Sequence, residues 1–478
     1  MTVSAPAVAG TADRRRWLAL GLLCLAFFVD VLASTSVFTA APSIAADLGL
    51  SAAGAQWLFT ACTLPGGALL LCGGRLADLY GARRVFVAGT GLLTVASLVC
   101  AAAPSTAVLV GARAGQGVAA ALMMPAALAL VVSTFDDPAE RNKALAAWSA
   151  VGGVGATAGL LFGGAVTGAL EWPWVFGVNV PVGVVMIVLS PVLLRADRRV
   201  AGRGRLDLPG VLAATVALGS VVYGLSQVPG RGWARPDTLG LVAAGLVLLG
   251  VFVLVESRTA WPMLPLRLFR NRRLVGGNLV LVAAGMTVDG LLFTVTRQTQ
   301  EVLGYSALRF GVLTSAMTVS SVAAACVAQR WVTAVGVRAV AGGGGALLVL
   351  ACVVMAWSTR AGRPGVVLLA GMLVFGLGMG GAFVAGSIAS LADVAGEDAG
   401  IAAGLQTVSF SVGATLGVAL QATVAALRTG AVVGGGAAPG AVADGVLAGS
   451  RAAFLAGAVI ALLGTAAALA IRVERPPN

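Results

Sequence analysis

The chain has 478 residues, of which 59% are hydrophobic and 10% charged, and its formal net charge is +12. Soluble domains carry roughly 25% charged residues, so this composition excludes an ordinary water-soluble fold and indicates a membrane protein. Histidine is absent, and the 6 cysteines lie in apolar runs without a CxxC pair. We therefore expect no disulfide framework, no metal site and no cofactor.

Apolar stretches of bilayer-crossing length recur along the whole chain. A transmembrane helix needs about 20 apolar residues, and about fourteen segments meet that length. The pattern predicts an all-α membrane protein. The predicted spans are residues 17–39, 56–74, 85–103, 106–132, 144–168, 174–194, 208–226, 238–255, 274–296, 310–328, 338–357, 364–391, 399–427 and 452–471.

Lysine and arginine fall mainly on one side of these spans. With the N-terminus in the cytoplasm, 22 of the 31 Lys and Arg residues lie in cytoplasmic segments, 8 lie in outer loops and Arg113 lies within the fourth span. Because positive residues accumulate in cytoplasmic loops, this asymmetry predicts cytoplasmic N- and C-termini. The basic residues are thus a topology signal and form no single basic face, so we expect no nucleic-acid partner.

Two carboxylates interrupt apolar spans near their middle. Asp30 lies in the first span within FFVDVL, and Asp289 lies in the ninth span within MTVDGL. Such a group persists in a membrane where it faces a cavity, pairs with a cation or takes up a proton. Because histidine is absent, these carboxylates are the candidate proton carriers. The alternative is an ion pair with an embedded arginine, such as Arg113 or Arg297, that only holds helices together.

A short charged segment, GRLADLYGARR, separates the second and third spans. Its glycines permit close helix approach and a tight turn, and its charged side chains can bond to each other and to helix ends. A second copy, QRWVTAVGVR, follows at an offset of 255 residues, from Gly81 to Gly336, with Thr333 in place of Asp78. The offset indicates two duplicated halves separated by two extra spans. The residues of interest in the first copy are Gly74, Arg75, Asp78, Gly81, Arg83 and Arg84.

Further motifs narrow the family. LVGARAGQGVAAALMMPAALAL surrounds Arg113, and WPWVFGVNVPVG and AGIAAGLQTVSFSVGATLGVAL follow later in the chain. Together with the charged segment, they resemble the major facilitator superfamily, specifically its drug:proton antiporter family with fourteen helices. The fifth span carries a glycine face at four-residue spacing that is similar to the antiporter motif of that family, except that Leu160 stands where its proline would be. The glycines are Gly155, Gly159, Gly163 and Gly164.

The resemblance implies a fold of two six-helix bundles with two additional central helices. The expected domains are residues 1–200, 201–260 and 261–478. It also implies that residues 74–84, hereafter the latch segment, hold one conformation, and that Arg113 takes part in proton coupling. In the first span, Ala33 stands where the family has an acidic residue, and Asp30 lies on nearly the same helix face and can replace it.

The implied function is export of small hydrophobic or amphipathic compounds, cationic ones included, in exchange for protons across the cell membrane. The alternative function is export of an endogenous secondary metabolite or lipid by the same fold. A transport-dead sensor is a third possibility. A membrane-embedded enzyme is disfavoured because histidine, a nucleophile constellation and a sizeable extramembrane domain are missing. We expect a monomer whose partners are the substrate, protons and membrane lipid.

Polar side chains within the spans are candidates for the cavity wall or for contacts between helices. The outer stretch of residues 426–450 is rich in glycine and alanine and is predicted to be a flexible loop. The candidate cavity residues are Gln56, Asn278, Gln300 and Gln406.

Overall fold

The computed structural model describes residues 9–135, 137–195, 208–231, 235–259, 266–360, 362–392, 394, 399–433 and 441–470. Across these residues the chain is built from α-helices, with one 3-10 turn at Leu266–Arg270 and one π-helical segment at Arg297–Val302. The helices are α1 (Ala9–Asp47), α2 (Ala52–Tyr80), α3 (Ala82–Ala101), α4 (Thr106–Thr134), α5 (Pro138–Leu170), α6 (Pro173–Gly177), α7 (Asn179–Leu193), α8 (Leu208–Arg231), α9 (Pro236–Arg258), α10 (Arg272–Thr296), α11 (Ala307–Val335), α12 (Val337–Ser358), α13 (Pro364–Leu391), α14 (Ala399–Val433) and α15 (Ala441–Leu469).

Each predicted span coincides with a helix, and the sixth is divided between α6 and α7. Within the described part of the chain, 12 helices are long and apolar enough to cross a membrane, and α2, bent by 52° between Gly54–Leu70 and Cys72–Tyr80, makes 13. Helix α8 contributes the shorter apolar stretch Leu212–Leu225. The all-α membrane architecture is confirmed, and the fourteenth crossing remains a prediction.

The packing repeats along the chain. Helices α1 and α5 pack together as α10 and α14 do, α2 and α4 pack as α11 and α13 do, and α3 and α4 pack as α12 and α13 do. The turn between α2 and α3 uses Gly81 at φ 99°, and the turn between α11 and α12 uses Gly336 at φ 89°. Helices α1–α7 and α10–α15 are therefore two copies of one packing scheme, hereafter the N-terminal and C-terminal halves. The exact domain boundaries remain a prediction.

Close helix contacts in this fold depend on glycine. A Cβ atom on Gly285, Gly413 or Gly417 would come within 3.0 Å of a backbone carbonyl oxygen on the facing helix of the α10–α14 pair. Small residues allow backbones to approach in membrane proteins, where lipid supplies no hydrophobic drive for helix association. Part of the abundant glycine of this chain is thus used for close helix packing.

The two additional helices lie against the seam between the halves. Helix α8 packs on both α2 and α14. The Thr423 hydroxyl donates to the carbonyl oxygen of Leu225 at 2.9 Å, and the rings of Trp57 and Tyr223 lie 6.1 Å apart. Helix α9 packs on α8 and is largely exposed on its other faces. The halves meet along two seams, one between α2 and α14 and the other between α5 and α11, and the additional pair covers the first.

The predicted loop at residues 426–450 is wrong for residues 426–433 and 441–450, which are helical, and residues 434–440 lie outside the described part of the chain. Helix α14 continues to Val433 and α15 begins at Ala441. The Thr429 hydroxyl donates to the carbonyl oxygen of Gly445 at 3.1 Å, and a Cβ on Gly449 would collide with Thr429. Gly445 and Gly449 thus let α15 approach α14 closely.

Candidate functional site

A cavity of about 1460 Å³ lies between the two halves. Its wall is formed by α1, α2, α4, α5, α9, α10 and α14, together with the 3-10 turn before α10. Apolar side chains such as Phe27, Met124, Trp148 and Phe410 make up much of the surface. The charged lining residues are Asp30, Arg75, Asp78, Glu256, Arg267 and Asp289.

Both predicted carboxylates lie on this wall. Asp30 projects from α1 and Asp289 from α10, which are equivalent helices of the two halves, and each side chain is partly exposed. Among the described residues, the hydrogen bonds and ion pairs include none to either carboxylate. Arg297 pairs with Glu301, its Nε lying 3.2 Å from Oε1. The ion pair considered as an alternative for Asp289 is therefore absent from the described structure.

Arg113 is buried away from the cavity wall. Its side chain is 2% exposed, and its Nε donates to the carbonyl oxygen of Leu58 at 2.9 Å. Its Nη1 donates to Gln116 Oε1 at 2.8 Å, and Gln116 Nε2 donates to Ser97 Oγ at 2.9 Å. The guanidinium also lies 6.0 Å from the centroid of the Phe176 ring. The bonds of Arg113 are thus to neutral partners that join α2, α3 and α4.

One end of the cavity, hereafter the sealed end, is closed by contacts between the halves. The Phe38 and Phe59 rings stack at 4.4 Å, and Phe59 meets Phe293 edge-on at 5.7 Å. The Thr296 hydroxyl donates to the carbonyl oxygen of Phe38 at 3.3 Å. Since α1 and α2 belong to one half and α10 to the other, these four residues join the halves.

The opposite end, hereafter the mouth, carries the charged lining residues of the latch segment and the extra helices. Arg75 and Asp78 reach it from the end of α2, Glu256 from the end of α9, and Arg267 from the turn before α10. Gly74 also lines the wall, whereas Arg83 and Arg84 lie beyond the turn on α3 and are not among the lining residues. The latch segment is therefore divided between the cavity wall and the start of α3.

The glycines of the latch segment have different roles. Gly81 has φ 99°, a backbone conformation that residues with a Cβ adopt rarely, which explains its place at the turn. Gly74 only makes an ordinary contact, since its Cβ would lie 3.7 Å from Pro125. The close approach of α2 to α4 occurs at Gly73, where a Cβ would overlap the carbonyl of Ala121. The prediction that Gly74 provides this close approach is therefore wrong, because the neighbouring residue Gly73 provides it.

The glycine face of α5 meets two helices. Gly155, Gly159 and Gly163 face α1, and a Cβ on Gly159 would lie 2.8 Å from the carbonyl oxygen of Leu32. Gly164 faces α11, where a Cβ would lie 2.5 Å from the carbonyl oxygen of Ala307. The face thus packs α5 within its own half and against the other half. An additional role in antiport remains a prediction.

The four polar candidates for the cavity wall are not among its lining residues in this conformation. Asn278 accepts a bond from the Ser409 hydroxyl at 2.9 Å, and Gln406 bonds to Ser387, so both join neighbouring helices. Gln56 is 2% exposed, and Gln300 lies in the π-helical segment. Polar contacts between helices satisfy Asn278 and Gln406 in an apolar setting, which explains why polarity alone did not locate the wall.

Glu256 and Arg267 are lining residues that the sequence did not indicate. The predicted eighth span ended at residue 255, so Glu256 fell at its boundary, where charged residues are ordinary. Arg267 was counted among the cytoplasmic topology signals. The signal that marks Glu256 is its burial, 2% exposed, on a helix whose other faces are open.

Comparison with known proteins decides the family. A family model described as Major Facilitator Superfamily matches residues 23–296. The chain is 38% identical over 461 residues to the puromycin resistance protein pur8 of Streptomyces alboniger, covering 95% of this chain and 90% of that protein. The chain belongs to the major facilitator superfamily. This transporter is also 33% identical over 427 residues to the tetracenomycin C resistance and export protein of Streptomyces glaucescens, covering 87% and 77%.

Solved structures agree on the fold. The bacterial homologue of the lysosomal transporter Spinster, in its inward-facing and unoccupied conformation, matches with a TM-score of 0.65 at 16% identity, covering 98% of this chain and 97% of that one. At this identity the match shows the fold alone. The predicted family and architecture are confirmed, and the transporter family excludes the enzyme alternative.

Proposed function

We propose that this transporter exports small hydrophobic or amphipathic compounds, cationic amphiphiles among them, in exchange for protons entering the cell. The observation that carries the proposal is the placement of Asp30 and Asp289 on one cavity wall, from equivalent helices of the two halves. A carboxylate exposed to such a cavity can take a proton on one side of the membrane and release it on the other.

The shape and composition of the cavity fit this substrate class. Its volume of about 1460 Å³ exceeds the roughly 300–1,000 Å³ of typical small-molecule pockets. Met124, Phe27, Trp148 and Phe410 supply apolar and aromatic surface that adapts to different shapes. Hydroxyl groups such as those of Ser34, Thr63 and Ser411 also line the wall, so recognition combines loose apolar contact with hydroxyls and carboxylates.

Transport follows from alternating access between the halves. With cytoplasmic termini in the cell membrane, the mouth faces the cytoplasm and the sealed end faces outward, as in a transporter open to the inside. A cationic substrate entering from the cytoplasm displaces protons from Asp30 and Asp289 into the cytoplasm. After the halves rock, protons from outside rebind the carboxylates and release the substrate.

The latch segment stabilises the alternative, outward-open state. In the present conformation Asp78 and Arg75 line the open mouth. When the mouth closes, their charges come close to the helix ends of the other half, where charge-assisted bonds are favourable. Arg113 contributes indirectly, because its buried positive charge acts on Asp30 from within the N-terminal half.

Inverted membrane vesicles test the proposal. We expect tetraphenylphosphonium added to energised vesicles to be taken up while protons leave the lumen, which a pH-sensitive dye records. The Asp30→Asn, Asp289→Asn double variant should lose this proton release while remaining folded. Asp444→Asn, an exposed acid in the first turn of α15, is the matched control. Unchanged proton release in the double variant would place the coupling site elsewhere.

A second candidate is export of an endogenous secondary metabolite or lipid. It is favoured by the names of the relatives, which include an antibiotic resistance and export protein from a Streptomyces species. Comparing cell extracts and medium from strains with and without the gene tests it, since an endogenous substrate would accumulate inside the deficient cells. A transport-dead sensor predicts no gradient-dependent flux of any compound.

A further inference from the structure

A proline near the sealed end interrupts the hydrogen bonding of helix α1. Pro42 lies within this helix, close to its end at Asp47. Because proline has no backbone N–H, the carbonyl oxygen four residues earlier loses its usual intrahelical donor. In α1 that carbonyl belongs to Phe38, which is 5% exposed. A buried carbonyl oxygen without a donor is unfavourable, so this position needs a partner from outside the helix.

The C-terminal half supplies that partner. The hydroxyl of Thr296, the last residue of α10, donates to the Phe38 carbonyl oxygen at 3.3 Å. The same hydroxyl donates to the Leu292 carbonyl oxygen of its own helix at 2.8 Å, so its single proton is shared between two acceptors. Threonine side chains of neighbouring helices commonly satisfy the backbone group that a proline frees inside a membrane. Here the freed group lies where the two halves meet.

This polar contact lies among the aromatic contacts of the sealed end. The Phe38 ring stacks on Phe59, which meets Phe293 one turn before Thr296. Aromatic packing tolerates small displacements, whereas a hydrogen bond needs a defined distance and direction. Helix α10 changes to the π-helical segment Arg297–Val302 directly after Thr296, so both equivalent helices depart from regular α-helix beside the contact. The hydrogen bond therefore fixes the position at which the halves close.

We propose that Pro42 is a positioning residue for closure of the sealed end. By removing the intrahelical donor to the Phe38 carbonyl oxygen, it provides the acceptor that binds Thr296 across the halves. When the sealed end opens, water replaces Thr296 at this carbonyl. The inference rests on the proposed alternating access and goes beyond it, because it assigns part of the conformational balance to a residue that has no polar side chain.

The distance between spin labels on the two halves tests this role in the full-length transporter in lipid nanodiscs. Labels at Ser105→Cys and Arg360→Cys, in a variant lacking the native cysteines, report on the sealed end. Thr296→Val should raise the ratio of opened to sealed molecules about three- to tenfold, the range expected when one hydrogen bond is lost. Thr296→Ser, which keeps the hydroxyl, should resemble the parent.

A double-mutant cycle separates the proposed role from a simple bend in α1. Pro42→Ala restores an N–H for the Phe38 carbonyl in both conformations, so it should also raise the opened fraction. Thr296→Val should then add little in the Pro42→Ala background, because the carbonyl no longer depends on the hydroxyl. If the two effects multiply as independent changes do, Pro42 only shapes the helix and the proposal is overturned. An unchanged distance in Thr296→Val would overturn it as well.

Two matched controls come from the same kinds of residue. Within the described residues, the Thr294 hydroxyl bonds only to the Gly290 carbonyl oxygen of its own helix, at 2.8 Å. Pro191 is an exposed proline inside α7 of the N-terminal half. Thr294→Val and Pro191→Ala should leave the label distance at the parental value. A lengthening as large as that of Thr296→Val in either control would show that the readout follows general helix stability, and would reject the proposal.

This proposal and the proposed proton exchange fail separately. The label distance is measured without substrate and without a proton gradient, so it does not depend on Asp30 or Asp289. A non-additive cycle between Pro42 and Thr296, with normal proton release in the Asp30, Asp289 double variant, would reject the proton carriers and retain the positioning role. Additive effects, with proton release lost in the double variant, would reject the positioning role alone.

Discussion

At the mouth of the cavity the N-terminal half, α9 and the turn before α10 present charged side chains, whereas at the sealed end the two halves meet through aromatic rings and small residues. Arg75, Asp78, Glu256 and Arg267 lie at the mouth, and the Phe59 ring contacts both Phe38 and Phe293 at the sealed end. Charges interact over longer distances and tolerate water, so they suit a surface that opens. Close apolar contact excludes water and suits a surface that must prevent leakage.

This comparison predicts that substitutions that alter packing shift the conformational populations mainly when they lie at the sealed end. Substitutions that remove a charge should do so mainly when they lie at the mouth. A common readout is the distance between spin labels at Ser105→Cys and Arg360→Cys, which are exposed positions beyond α3 and α12. The labels are placed in a variant lacking the native cysteines. Opening of the sealed end should lengthen this distance, because the two labels belong to different halves.

The largest effect is expected for Phe59→Ala. Removing a buried Phe side chain costs roughly 3–5 kcal/mol, and here both ring contacts are lost from the sealed state. The population should therefore shift toward long distances between the labels. Phe86→Ala is the control, because Phe86 is fully buried within the N-terminal half. It should lower thermal stability without lengthening the distance.

The next effect is expected for Gly164→Ala. Its new Cβ would lie 2.5 Å from the carbonyl oxygen of Ala307, so α5 and α11 must separate. Overpacking of this kind costs about 1–3 kcal/mol, which should also favour the opened sealed end. Gly168→Ala, one turn later on α5, meets nothing within 4 Å and should behave as the parent does. Equal behaviour of both variants would contradict the role of this contact.

The sequence anticipated the periodic features of the molecule well. Apolar length located every predicted span, and the alignment of Gly81 with Gly336 predicted a repeated turn, at which both glycines have positive φ. Asp30 and Asp289 were singled out because an acid within an apolar span has few tolerable surroundings. Their shared cavity follows from the repeat, since equivalent helices of duplicated halves occupy equivalent places.

Features that depend on side-chain direction were not anticipated. Glu256 was indistinguishable from an ordinary boundary charge until its burial was known. Gln406 and Asn278 bond to neighbouring helices instead of lining the cavity, and sequence polarity does not separate these outcomes. Likewise, only the rotation of α2 decides that Gly73 makes the close backbone contact with α4 while Gly74 makes an ordinary one.

At the mouth, Asp78→Asn should produce a moderate effect of the opposite sign. The proposed bonds of Asp78 form when the mouth closes, so losing its charge should favour the present, sealed-end-closed conformation. A contact of about 1–3 kcal/mol changes the two populations several-fold or more. The distance between the labels should shorten on average and export should slow, while insertion is normal. Export at the parental rate would show that the latch segment acts only as a topology signal.

The smallest effect is expected for Glu301→Gln, which removes a charge near the sealed end. Glu301 pairs with Arg297 four residues earlier, and their side chains are 40% and 19% exposed. Pairs of this kind contribute roughly 0.5 kcal/mol or less, because solvent screens them and two flexible side chains must be ordered. The distance distribution between the labels and the export rate should therefore match those of the parent. A shift as large as that of Asp78→Asn would show that charge controls both ends of the cavity, and the distinction between a charged mouth and a packed seal would fail.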